Sequence, residues 1–86
     1  MDLYAAYLGG PLADGRIGEG HEVVLVVATD RGDAESRAVA KWQGAPPGHL
    51  DALERIVRVD GYAVTLTPAT GGDGATGDHL EMETFN

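Results

Sequence analysis

Cysteine is absent from the 86 residues, which excludes disulfide staples, zinc–thiolate centres and a thiol nucleophile. Serine occurs once, at Ser36, in the middle of a segment with helical patterning, so no nucleophile is placed for acyl transfer. Basic residues are scarce: six Lys and Arg against 14 Asp and Glu leave a net charge of −8. Nucleic acid and anionic membranes both require a basic footprint, so neither is an expected partner. No apolar run approaches the roughly 20 residues of a membrane span. The start, Met1-Asp2-Leu3-Tyr4, has neither the basic flank nor the apolar core of a signal peptide. A cytoplasmic protein is expected.

What the chain does have is a run apolar on both faces, within His21–Asp30. Side chains of a strand alternate faces, so Val23, Leu25 and Val27 share one side and Val24, Val26 and Ala28 the other. The β-branched residues suit a pleated strand. A strand buried on both faces needs two covering layers, and a chain this short offers material for one. It buries only about 60–65% of its unfolded surface, and small domains without staples often associate. The expectation is therefore a homodimer.

Around this run the elements follow from local signals. Leu3–Leu8 reads as a first strand, stopped by Gly9-Gly10-Pro11. Thr29 or Asp30 caps a helix from about Gly32 to Gln43, with Asp33 and Glu35 in its first turn. Ala34, Ala38 and Trp42 recur at i, i+4, i+8 and make a narrow apolar stripe anchored by Trp42. Gly44 suits the left-handed position after the helix, and Pro46-Pro47 prevents continuation. His49–Asp60 fits two periods: Leu50, Leu53 and Val57 are helical, whereas Leu53, Val57 and Val59 alternate. Asp60-Gly61 is a hairpin turn signal that would pair Val59 with Tyr62, and it favours strands with at most one helical turn at Leu50–Glu54. The predicted fold is α+β in the order ββαββ, a four-stranded, mostly antiparallel sheet with one helix on one face. Residues 1–67 would form the domain. Residues 68–86, with Asp73, Asp78, Glu81 and Glu83 and no basic residue, read as a flexible, acidic, Gly-rich tail.

Several of these motifs occur together: Tyr7-Leu8-Gly9-Gly10, Ile17 through His21-Glu22, Val23–Ala28, Trp42, His49-Leu50-Asp51 and Asp60-Gly61-Tyr62. This combination resembles the bacterial domain-of-unknown-function family fifteen forty-three, over about residues 3–66. The resemblance implies a compact α+β domain and no assigned activity.

The residues suggest three chemistries. Phosphate binding by the glycine-rich loop 9–20 fails on context, because the loop opens into a strand rather than a helix. Asp14, Glu19 and Glu22 would repel phosphate there, and Arg16 is the lone cation. A metal or acid–base site is the alternative reading, with Glu19, His21, His49 and Asp51 as its residues, provided the two segments meet. His79 in the tail is expected to be an ordinary surface residue. The leading reading needs no cofactor and is not an enzyme. It is a small interaction module that self-associates through the sheet face opposite the helix, with Tyr4, Tyr7, Val24 and Val26 as interface residues. In this reading the acidic tail is available as a contact for another protein.

Overall fold

A computed structural model describes residues 1–13, 15–71 and 77–85. Among them the elements are β1 (Asp2–Pro11), β2 (Glu19–Ala28), α1 (Arg31–Ala40), β3 (His49–Ile56), β4 (Arg58–Val59) and β5 (Tyr62–Ala63). The class is α+β, as expected. The sheet order is β2-β1-β3, with both neighbours antiparallel to β1. β2 and β3 therefore run parallel to each other on either side of β1, and α1 lies on the connection between them.

The single four-stranded sheet is corrected to three strands plus a separate two-stranded hairpin. The hairpin itself follows the turn: Asp60 and Gly61 both have positive φ, Val59 pairs with Tyr62, and Arg58 with Ala63. What differs is β3, which is extended from His49 to Ile56 with no helical turn. Its register slips by one residue, so that Leu8 pairs with Leu50 and Tyr7 with Ala52, leaving Asp51 as the extra residue of a β-bulge. The bulge puts Leu50 and Leu53, three residues apart, on the same face. A helical spacing is thus produced by a strand with one residue too many.

Register sorts the side chains into cross-strand rows. On the helix side the rows are Glu22–Leu8–Leu50, Val24–Ala6–Leu53 and Val26–Tyr4–Arg55. α1 covers them with Ala34 and Ala38, both fully buried. Tyr4, Ala6, Leu8, Val26 and Ala28 complete the core, and Val24, Val39, Trp42, Leu50 and Leu53 pack against it. Of the residues expected at an interface, Tyr4, Val24 and Val26 are therefore placed beneath the helix, with Tyr4 only 2% exposed. Tyr4 and Tyr7 stand three apart on one strand and must face opposite ways. Tyr7 alone of that set lies on the open side.

The helix begins at its expected cap: Asp33 N–H donates to Asp30 Oδ1 at 2.8 Å. Asp33 in turn accepts from the Thr29 N–H at 3.0 Å and from Arg37 Nε at 3.0 Å. The helix ends at Ala40 rather than Gln43, with Lys41 as a right-handed cap, so Gly44 is not its left-handed terminator. Gly44 serves Trp42 instead. A Cβ on Gly44 or Gly48 would lie 2.4 Å from the indole, and one on Gly10 2.9 Å from it. The ring rests on bare backbone, while its Nε1–H donates to Ala45 O at 2.8 Å. β1 likewise runs on through Gly9-Gly10 to Pro11; the glycines admit neighbours rather than end the strand.

Two outcomes follow from this packing. Trp42→Ala is expected to destabilise the fold by about 3–5 kcal/mol, the usual range for deleting a large packed aromatic, and Gly48→Ala by about 1–3 kcal/mol through overpacking. Urea denaturation measures both, and unchanged midpoints would place the ring on the surface. The Thr29 N–H and the Arg37 side chain hold the Asp33 carboxyl below its ordinary value. Its contribution to stability is therefore present above the unfolded value and lost as pH falls through the folded one. The acid limb of the stability curve should flatten in Asp33→Asn.

Candidate functional site

The side of the sheet opposite α1 carries four rows in register: His21–Gly9–His49, Val23–Tyr7–Ala52, Leu25–Ala5–Glu54 and Val27–Leu3–Ile56. Three of the four are apolar apart from the Tyr7 hydroxyl and Glu54. Val23 is 60% exposed, Leu25 40%, Val27 38% and Tyr7 37%. No element among the described residues covers this face. Leu80, Met82 and Phe85 of the tail are themselves exposed, and Asp78 is tied to Lys41 Nζ at 2.8 Å. Asp73 lies outside the described residues, as does Asp14 of the glycine-rich loop.

The end row is polar and has a different construction. Pairing across β1 brings His21 and His49, from opposite edges of the sheet, to either side of Gly9. The bulge adds Asp51, whose Oδ1 stands 3.0 Å from His49 Nε2 and whose Oδ2 stands 3.7 Å from His21 Nδ1. A Cβ on Gly9 would meet Asp51 Oδ2 at 2.8 Å, His49 Nε2 at 3.1 Å and His21 Nδ1 at 3.3 Å. Any side chain at position 9 would occupy the space on which the three groups converge.

Three of the four residues named from the sequence are thus brought together. Glu19 is not one of them: it pairs with Pro11, one row further out, and forms no ion pair among the described residues. Glu22 faces the helix side, where it accepts from Gln43 N–H at 3.1 Å. His79 stands 4.0 Å from Glu81 in the tail. As it stands, the cluster is a carboxylate flanked by two half-exposed imidazoles. Among the described residues, no group of three His, Asp or Glu side chains could hold a metal ion as placed. A cleft of about 250 Å³ beside it is lined by Arg16, His21, Glu22 and Trp42, among others, a little below the ~300 Å³ where ligand pockets begin.

Sequence reasoning missed Gly9, whose role needs the β1–β3 register, and the Tyr7–Glu54 pair. The Tyr7 hydroxyl donates to Glu54 Oε1 at 2.5 Å. The signal for Gly9 was present as the doublet Gly9-Gly10, but a doublet before proline reads first as a stop.

The family model described as Domain of Unknown Function (DUF1543) matches residues 16–66, more than half of the chain. No curated protein and no solved structure matches it. No helix among the described residues is long and apolar enough to cross a membrane.

Donation to Glu54, with the nearby carboxylate charge and a little desolvation, raises the Tyr7 hydroxyl above its ordinary value of 10.0. The protonated phenol is the form the fold favours, so its contribution holds below the unfolded value and is lost as pH rises through the folded one. The difference in absorbance titration between the native chain and Tyr7→Phe should show a midpoint above 10.0, and Glu54→Gln should bring it down.

Proposed function

This chain belongs to the DUF1543 family, and we propose that it works as a non-enzymatic interaction module, a cytoplasmic homodimer closed through the open face of its sheet. The observation that carries this reading is the uncovered apolar surface formed by Leu3, Ala5, Tyr7, Val23, Leu25, Val27, Ala52 and Ile56. At ~4.8 Å between strands and ~6.7 Å between like-facing rows, its three apolar rows cover about 300 Å². That is the scale of the largest apolar patch on a typical monomer, where such patches are often functional.

Charge supports a second copy as the occupant. The only charged side chain in those rows is Glu54, and the Tyr7 hydroxyl already bonds it. An identical face therefore brings only that hydrogen-bonded carboxylate, one per copy, and no other charge. Two-fold pairing of like surfaces is the commonest closed arrangement of small proteins, and two sheets pack well face to face. Apart from Asp78, held by Lys41, the acidic residues of the tail are available to a different protein in this arrangement.

Sedimentation equilibrium at micromolar concentration is expected to give a dimer, and removal of the chain from Pro68 onward is expected to leave it intact. Val23→Glu, at the most exposed large apolar side chain of the patch, is expected to yield folded monomer, because two-fold symmetry puts two new carboxylates into one interface. A monomeric native chain sinks the reading.

A further inference from the structure

We propose that His21, His49 and Asp51 bind one divalent transition-metal ion of the zinc class, with Gly9 as the floor of the site. The inference stands apart from self-association, since all three donors come from one chain. Two imidazole nitrogens and a carboxylate oxygen are a donor set suited to such an ion, with a fourth position left for water.

The geometry points the same way. A tetrahedral ion with bonds of about 2.0–2.1 Å sets its ligand atoms about 3.3–3.4 Å apart. Asp51 Oδ1 stands 3.0 Å from His49 Nε2 and Asp51 Oδ2 3.7 Å from His21 Nδ1, so the imidazoles face different oxygens of one carboxylate and an ion would draw them onto a common point. As placed, no three His, Asp or Glu side chains among the described residues could hold a metal ion, so binding requires a side-chain movement, and that movement falls to His21. Its side chain is 68% exposed and makes no hydrogen bond among those described, so it can swing inward over Gly9 without disturbing the core.

Two features of the backbone serve this convergence. The bulge spends one residue of β3 to turn Asp51 toward the histidines rather than leave it in the ladder. At Gly9, three polar atoms stand within 3.3 Å of where a Cβ would be, so the missing side chain keeps the space between them open. The bulge also serves the hydrophobic core, by keeping Leu50 and Leu53 on one face, whereas the open space at Gly9 lies on the other side of the sheet.

The test is titration of the untagged full chain with Zn²⁺ by calorimetry and with Co²⁺ by visible absorption. One ion per chain is expected, with a dissociation constant in the micromolar range or tighter. His21→Ala, His49→Ala and Asp51→Asn alter exposed side chains and should keep the native circular dichroism. Each should weaken binding more than about 100-fold, beyond the roughly 10–100-fold that loss of a supporting partner outside the ligand shell costs. His79→Ala, which removes the one other histidine, should bind as the native chain does. Less than one ion per chain at tens of micromolar overturns the proposal. So does undiminished binding in any of the three site variants, or loss of binding in His79→Ala.

Discussion

The close approach of one indole ring to bare backbone is the constraint on which the rest of the structure depends. Trp42 follows the end of α1 and touches positions 44 and 48 in its own loop and position 10 at the end of β1. Its contacts join the helix, the central strand and the crossover loop at a single point. The loop is fastened there by two further bonds, Ala45 N–H to Pro11 O at 3.0 Å and Gln43 N–H to Glu22. With only two alanines of α1 fully buried, the helix has little apolar surface of its own with which to hold its place. Trp42 fastens the end of the helix to β1 and the crossover loop, on the one face of the sheet that α1 covers.

That choice of face organises the surface chemistry. Alternation along β1 and β2 means that covering Tyr4, Val24 and Val26 necessarily exposes Tyr7, Val23 and Leu25. The outer edge of β2 is treated differently. Lys41 Nζ donates to Leu25 O at 2.7 Å, placing a charged side chain on an edge carbonyl that would otherwise accept from another strand. This edge carbonyl is guarded against strand addition, whereas no element among the described residues covers the neighbouring apolar face.

Much of this was legible in the residues, and the failures have one cause. The helix cap at Asp30, the doubly apolar strand and the Asp60-Gly61 turn depend on neighbours close in sequence, and each formed where local chemistry put it. The errors arose where a long-range register decides. Leu50 and Leu53 have helical spacing because of a bulge that exists only opposite Tyr7 and Leu8. Gly9, Gly10 and Gly44 read as punctuation, yet their purpose is set by partners brought in by tertiary pairing. For the candidate site, residue types and spacings identified His21, His49 and Asp51, while the convergence itself depended on β1 lying between the two segments. Glu19 met the same spacing rule and was left out by a single row.

The central position of β1 also bears on how the chain is made. Its first ladder closes early, since β2 follows after a short loop, but its second waits for β3, with Leu3 meeting Ile56 and Gly9 meeting His49. Until residue 56 has left the ribosome, the first-made strand exists only as half of a two-stranded ribbon with one flank unpaired and both faces bare of any third strand. Such ribbons are marginal on their own, and contacts this distant in sequence slow folding. Proline and charge are sparse along β1 itself, so this strand stays open to wrong pairing until β3 has been made.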